Sequence, residues 1–253
     1  MRRTRAVVVG LIGLLAVAAV VCWTAPAELA YSLFGARLHP LRLDGLAGTV
    51  WQGAADRSSV MGQSLGRLQW QVDRGALLAR RIEAGVRVDG ADLRGSARVS
   101  AHEGVVEIAD LDGELPASML GPALDIPALT LLGRISCQFS RLVLQDGLPR
   151  RIEGSAVWRD LAVAGAASAS LPGLEVRFRT ESDGMIAADV KDLGGPLAID
   201  GQVRVAGERY RTEVRLNLRE PNPALEEVLK FVGERTPDGG SLLRVDGSLK
   251  PVR

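Results

Sequence analysis

Side chains alternate between polar and apolar along many short segments of this chain, and this pattern limits its fold more than any other feature. In residues 210–218, tyrosine, threonine, valine and two leucines take every second position, and arginine, glutamate and asparagine stand between them. The same alternation occurs in residues 67–72, 93–99, 151–159 and 174–179. A period of two is typical of antiparallel strands with one dry and one solvated face. The sequence therefore predicts a mainly β fold.

Eight Asp-Gly pairs stand between or beside these segments, and we interpret them as hairpin turns. The pair supplies the positive φ angles that tight turns need. A meander of this many twisted strands must curl. We therefore predict a long, curved antiparallel sheet, which either closes as a sandwich or leaves an open apolar groove. The pairs are at positions 44–45, 89–90, 112–113, 146–147, 183–184, 200–201, 238–239 and 246–247.

One short C-terminal helix is predicted at residues 223–232. Asn222 is a suitable N-cap, Pro223 suits the first turn, and Gly233 is a stop signal. A further single turn is predicted at residues 116–120. One such helix cannot cover the apolar face of the whole sheet, so the alternatives of sandwich and open groove both stay open.

An uninterrupted apolar run occupies residues 6–24, and Arg2, Arg3 and Arg5 precede it. As a helix this run would span about 28 Å, which matches the hydrocarbon thickness of a bilayer. The arginines predict a cytoplasmic N-terminus, which places the rest of the chain in the periplasm of a bacterium. A cleavable signal peptide is the alternative, because residues 25–27 have the form of a cleavage site. The run is longer than the apolar region of a typical signal, which favours an anchor.

The chain after the anchor is long enough for one large β domain or two smaller ones. Two prolines within residues 121–127 mark a seam between them. We therefore predict three parts: a cytoplasmic tip and transmembrane anchor at residues 1–24, an N-terminal β half at residues 25–120, and a C-terminal β half at residues 121–253.

Composition excludes several classes of function. The net charge of +1 gives no general attraction to nucleic acid. The two cysteines, Cys22 and Cys137, cannot pair if the first stays in lipid, so neither a disulfide framework nor a metal cluster is expected. Cys137 alternates with apolar neighbours and is predicted to be a core thiol.

A search for catalytic chemistry finds little. The two histidines, His39 and His102, are far apart and outside any known motif, so we expect both in solvated loops. Asp110, Asp112 and Glu114 are close in sequence but lack a complete set of ligands for a cation. No phosphate loop or nucleophile motif is present in the sequence. The sequence therefore predicts no enzyme and no catalytic, cofactor-binding or metal-binding residues.

Glycine and tryptophan cluster in residues 48–55, where Trp51 lies between Gly48 and Gly53. An aromatic residue between closely spaced glycines suggests a strand that another element approaches closely. Because the sheet is otherwise aliphatic, we also expect Trp51, Trp70 and Trp158 to fill its core.

At this motif the sequence resembles the type II secretion system protein N family. The matching segments begin with the basic start and anchor and continue at residues 43–54, 65–72, 75–78, 195–201 and 246–249. The residues that carry the resemblance, in structural rather than catalytic roles, are Gly48, Trp51, Gly53, Gly66, Trp70, Gly201 and Gly233.

The resemblance implies a non-enzymatic part of the inner-membrane platform of the type II secretion machine of Gram-negative bacteria. That machine exports folded periplasmic proteins across the outer membrane. The implied partners are the inner membrane and other platform subunits, with the outer-membrane secretin as a further candidate. The strands also resemble those of AsmA-like periplasmic proteins, whose curved sheets hold lipid in an apolar groove. Lipid is the implied partner under that alternative.

Overall fold

The structure is a computed structural model that describes residues 24–120, 129–165, 169–222, 233–237 and 239–249. The described residues before the strands include the α-helix α1 (Ala27–Phe34), and short 3-10 turns occur at Gly35–Leu38, Ala76–Ala79 and Ala117–Leu120. The strands are β1 (Leu41–Gly48), β2 (Gln52–Val60), β3 (Gln63–Asp73), β4 (Ile82–Asp89), β5 (Arg94–His102), β6 (Val105–Pro116), β7 (Leu129–Gln145), β8 (Leu148–Gly165), β9 (Ala169–Ser170), β10 (Leu174–Thr180), β11 (Ile186–Asp192), β12 (Leu197–Ala206), β13 (Arg209–Leu218), β14 (Glu234–Arg235) and β15 (Ser241–Ser248).

All the described strands belong to one antiparallel sheet. Their order follows the chain from β1 to β8, continues with β10 to β13, and ends with β15 and then β14, while β9 pairs with β8. The strands at the two ends of this order, β1 and β14, do not pair with each other, so the sheet is open. The prediction of a mainly β antiparallel meander is confirmed, and of the two predicted forms the described strands show an open sheet and not a two-sheet sandwich.

Because consecutive strands run in opposite directions, their connections alternate between two ends of the sheet. We call "near end" the end that holds the β1–β2, β3–β4, β5–β6, β7–β8, β10–β11 and β12–β13 connections, and "far end" the opposite one. The chain enters the sheet at the near end, where Pro26 bridges Thr49 and the amide of Val50 donates to the carbonyl of Ala25 at 3.0 Å.

Helix α1 covers part of the β1 edge from that entry point. Ala27 is buried against the sheet, and the amide of Leu43 donates to the Tyr31 hydroxyl at 3.1 Å. An edge-strand amide is thereby satisfied by a side chain instead of by a neighbouring strand, which protects this edge against unwanted strand pairing.

The apolar face of the sheet is only partly covered. Two clusters of buried residues lie toward the far end, one around Leu197 and Ile199 and the other around Ala117, Leu131 and Ile135. Elsewhere large apolar side chains of the same face, such as Val86 in β4 and Phe178 in β10, are only half-buried. Ile186 and Leu148, at the near-end starts of β11 and β8, are buried as well, so only part of the apolar face of the described strands stays accessible.

Four Asp-Gly pairs lie inside strands, and the prediction that they form turns is wrong at these positions. They are the pairs at 44–45 in β1, 112–113 in β6, 200–201 in β12 and 246–247 in β15. The reason is steric. A Cβ on Gly201 would lie 2.7 Å from Val214 Cγ2, and one on Gly247 would lie 2.5 Å from the Tyr210 ring, so each glycine makes room for a larger cross-strand neighbour on the apolar face. The aspartates face the polar side, where Asp246 pairs with Arg211 at 2.7 Å.

The pairs at 146–147 and 183–184 do form turns. The pair at 89–90 only leads into one: Asp89 ends β4, the chain bends at residues 91–92, and the Gly90 amide donates to the Leu93 carbonyl at 2.8 Å. The predicted turn at residues 116–120 is confirmed by the 3-10 turn there. Residues 121–127, residues 223–232 and Asp238 lie outside the described residues, so the predicted seam, the predicted C-terminal helix and the pair at 238–239 are not assessed.

The predicted anchor also lies outside them, apart from Thr24. No helix in the described part of the chain is long and apolar enough to cross a bilayer.

Candidate functional site

Four of the seven residues that carry the family resemblance meet at the near end of β1, β2 and β3. Gly48 ends β1 with a φ of 88°, and a Cβ there would lie 2.5 Å from the Gln52 carbonyl oxygen. A Cβ on Gly53 would lie 2.5 Å from Trp70 Cζ2, so the absence of a side chain lets the indole approach β2 closely. The Trp70 Nε1 donates to the Val50 carbonyl at 3.1 Å. This corner is a close packing of an indole on glycine.

The prediction that Trp51 fills the core is wrong. This residue lies in the β1–β2 connection and not on the apolar face. Its carbonyl accepts the amide of Val72 at 2.6 Å, which ties this connection to the end of β3. The Arg74 guanidinium lies 5.3 Å from the centre of its indole ring, within the range of a cation–π interaction. Trp70 and Trp158 do lie on the apolar face, half-buried, and Trp158 Nε1 donates to the Leu132 carbonyl at 3.0 Å.

The other three residues lie elsewhere. Gly66, with a φ of 90°, faces the backbone of Gly90 in the β4–β5 turn at the far end. Gly201 lies under Val214, and Gly233, with a φ of 70°, faces the carbonyl of Leu242. The seven residues therefore do not form one site. Each lies at a point where two backbones, or a backbone and a large side chain, come close together.

A polar groove crosses the outer face of β2 to β6 beside the Trp51 corner. Its volume is about 790 Å³. Its charged side chains pair with one another or with neighbours: Arg81 with Glu83 at 2.7 Å, and Glu107 with Arg141 at 2.6 Å. Gln52 and Gln71 add neutral amides to its wall. The groove thus presents hydrogen-bonding groups with little net charge, a surface suited to contact with a polar partner.

At the far end, Asp192 fastens three strands together. Its carboxylate accepts the amides of Gly194 and Ile199 at 2.8 Å each, and the Arg219 guanidinium reaches both of its oxygens, at 2.8 and 3.0 Å. The side chain is 7% exposed. The hydrogen bonds from Arg219, assisted by the two amides, lower the pKa of Asp192 to about 2 despite its burial. The pair is a structural clamp and not an acid–base pair.

The candidate titratable groups are dispersed. His39 and His102 are both exposed. Asp110 pairs with Arg98, while Asp112 accepts from Gln138 at 3.0 Å, so the acids of β6 are engaged by different neighbours. No group of three possible metal ligands gathers in the part of the chain that the structure describes.

Cys137 is half-buried, so it is less enclosed than the core thiol that its alternation predicted. Burial, together with the nearby Asp112 carboxylate, raises the pKa of its thiol, which lowers the fraction of reactive thiolate at neutral pH.

Sequence reasoning missed two features of this surface. The Asp192 clamp joins residues 27 positions apart, and a lone aspartate before two glycines gives no sign of a distant arginine. The groove arises from the register of five strands, which alternation alone does not set. A usable signal for the groove was the presence of Gln and small residues, instead of alternating charges, on the polar face of β2 and β3.

These observations define a class of protein: a single open antiparallel sheet with a paired-charge polar face, a half-covered apolar face, and no clustered catalytic groups among the described residues. A family model described as type II secretion system (T2SS), protein N, matches residues 39–244. The match covers most of the chain, and the chain belongs to this family.

A curated relative, the type II secretion system protein N of Vibrio cholerae, is 31% identical over 126 residues. The aligned part is 47% of this chain and 48% of the relative, so the match spans about half the length of that protein. No solved structure matches the chain.

Proposed function

We propose that this protein is a non-enzymatic component of the inner-membrane platform of the type II secretion system. In this role it supports the export of folded periplasmic proteins across the outer membrane. The observation that carries the proposal is the family match, which extends from the start of β1 into β15 and so includes nearly the whole sheet. The dispersed titratable groups agree with a role in assembly.

In this proposal residues 6–24 anchor the protein in the inner membrane, the N-terminus is cytoplasmic, and the sheet stands in the periplasm. The support comes from sequence: the length of the apolar run and the three arginines before it. The junction with the sheet is short, because Ala25, the first residue after the run, is already hydrogen-bonded to Val50. The body would therefore be held close to the bilayer and not on a long tether.

Partner subunits would meet the sheet at its polar face and at the β15 edge. Among the described residues, only Ser241 and Leu242 of β15 pair outward, with β14. The remaining part of β15 offers backbone groups to which a partner strand can add. The β1 edge is less suitable, because Pro26 and Tyr31 already occupy part of it.

The test is gentle purification of the full-length protein from native membranes, followed by identification of everything that accompanies it by mass spectrometry. Recovery of secretion-platform subunits at a fixed ratio is the expected result. The matched variant replaces residues 6–24 by a cleavable signal. It should release the body from the membrane, reduce recovery of the platform subunits and impair secretion. Normal secretion with a freely soluble body would contradict a structural role for the anchor.

A second candidate function is the holding or passing of lipid along the apolar face, as in AsmA-like proteins. The observation that favours it is the half-buried state of large apolar side chains toward the near end of this face. Recovery of phospholipid or lipopolysaccharide at a fixed ratio, without a protein partner, would support this candidate over the first. Failure of a photoactivatable lipid to crosslink at Leu68, Trp70, Val214 or Leu216 would refute it.

A further inference from the structure

The corner where the chain enters the sheet has a composition that the other near-end connections lack. The β3–β4 connection and the start of β4, residues 74–82, contain Arg74, Arg80 and Arg81 and no acid. Two large apolar side chains in this segment are exposed: Leu77 is 39% exposed and Ile82 is 54% exposed. We call this segment the basic loop.

The basic loop lies beside the point at which the apolar run ends. Thr24, the last residue of the run, precedes Ala25, whose carbonyl accepts the Val50 amide at 3.0 Å. Trp51, which follows Val50 in the chain, accepts the Val72 amide through its carbonyl. The Arg74 guanidinium lies 5.3 Å from the centre of the Trp51 ring. A bilayer crossed by residues 6–24 therefore has its surface next to this loop, because adjacent Cα atoms are only about 3.8 Å apart.

The charges along the near end support this position. The later near-end turns, at residues 103–104, 146–147, 181–185 and 207–208, contain only acidic charged residues. An anionic lipid surface attracts arginine and repels carboxylate within about 10 Å. The near end thus has one basic corner, at the anchor, and acidic turns farther along the sheet.

The side chains of the basic loop suit a headgroup layer. Arg81 pairs with Glu83, but Arg80 makes no ion pair with another described residue. Arg80 is exposed and terminates the 3-10 turn with a φ of 56°. Exposed leucine and isoleucine beside arginine and tryptophan are the combination that lies at membrane interfaces.

From these observations we infer that the basic loop docks on the anionic headgroup layer of the membrane that holds the anchor. Leu77 and Ile82 enter the interface, Arg80 contacts lipid phosphate, and the acidic turns keep the later strands away from the surface. The near ends of β1 to β4 would then lie closest to the membrane, and the rest of the sheet would extend away from it. The inference rests on the proposed anchor.

The test uses the full-length protein in nanodiscs of phosphatidylglycerol and phosphatidylcholine, with Cys22 and Cys137 replaced by alanine. An environment-sensitive dye is attached through Leu77→Cys. The matched control is Met61→Cys, because Met61 is 73% exposed in the β2–β3 turn at the far end. Lipids with a spin label near the headgroup should quench the dye at position 77 and leave the dye at position 61 nearly unquenched. Equal quenching at both positions would overturn the inference.

A charge variant tests the electrostatic part. Arg80→Gln should lower the ratio of docked to undocked loop about fivefold, since one arginine near an anionic surface contributes about that factor. Arg150→Gln, an exposed arginine beside the acidic β7–β8 turn, should change nothing. Pure phosphatidylcholine nanodiscs should lower docking at least as much as Arg80→Gln, because they also remove the attraction of Arg74 and Arg81. An unchanged signal in both cases would show that charge does not hold the loop at the surface.

Failure of the proposed anchor is recognised separately by alkaline extraction of membranes. If the full-length protein is extracted, the anchor itself fails and the proposed function must be revised. If the protein stays in the membrane while the dye at position 77 is unquenched, only the docking of the basic loop is refuted.

Discussion

The Asp192–Arg219 clamp gives a prediction whose size and pH dependence both follow from the structure. The carboxylate is 7% exposed and accepts two backbone amides as well as the guanidinium, and its pKa is about 2 in the folded protein. In the unfolded chain the pKa returns to about 3.8. A difference of this size stabilises the folded state by about 2 kcal/mol at neutral pH.

The sign follows from the direction of the shift. Because the folded pKa lies below the unfolded value, the stabilisation is complete above about pH 4 and is lost as the pH falls toward 2. Asp192→Asn removes the charge but keeps the shape. We expect it to lower the free energy of unfolding by about 2 kcal/mol at pH 7, equivalent to about 4–8 °C in the melting temperature of a chain of this size. Near pH 2 the wild type and the variant should converge.

The assay is urea unfolding of the full-length protein in mild detergent at pH 7, 5 and 3, followed by tryptophan fluorescence. The matched control is Asp246→Asn, which breaks the Arg211–Asp246 pair at 2.7 Å on the polar face. Those side chains are 70% and 65% exposed, so solvent screens their interaction and the unfolding midpoint should move far less. Equal losses for the two variants, or a loss for Asp192→Asn that does not depend on pH, would refute the reasoning.

Two further predictions concern the apolar face. Gly53→Ala should lower the free energy of unfolding by about 1–3 kcal/mol, because its Cβ would overlap the Trp70 ring. The control Gly85→Ala should be nearly neutral, because no atom lies closer than 4.0 Å to the position of its Cβ. Thermal melts of both variants check this prediction. The Cys137 thiol should react slowly with a thiol reagent at pH 8 in the folded protein and much faster in urea, because burial and Asp112 raise its pKa. Reaction at the same rate in both conditions, measured in a chain whose other cysteine is replaced, would contradict the observed burial.

The sequence predicted the strands well because their alternation is a local signal, and the segment at residues 174–179 lies within β10 as expected. The Asp-Gly pairs misled the turn prediction because the same dipeptide serves two purposes. At 146–147 it turns the chain, but at 200–201 it places a carboxylate on one face and makes room for Val214 on the other. Only the cross-strand register separates these cases.

The candidate site was harder to predict than the fold because its geometry is not local. The motif at Gly48, Trp51 and Gly53 indicated a close approach, and the structure shows Trp70 lying against Gly53. The position of Arg74 over Trp51 depends on how the β3–β4 connection folds back, which spacing in the sequence does not reveal.

The order of the strands has a consequence for how this protein is made. If the chain crosses a membrane from its N-terminus as proposed, β1 is delivered first. Every later described strand up to β13 then pairs with the strand delivered just before it, except that β10 pairs with β8 because the short β9 is a side branch of β8. Up to β13, no described strand must wait for a distant partner or be inserted between two that have already joined, so the loops to be closed are short. The strand β14 differs, because its partner β15 follows it in the chain. Up to β13 the sheet can therefore grow one hairpin at a time beside the proposed anchor. Its newest edge is the one most exposed to wrong partners, because α1 and Pro26 already cover part of the β1 edge.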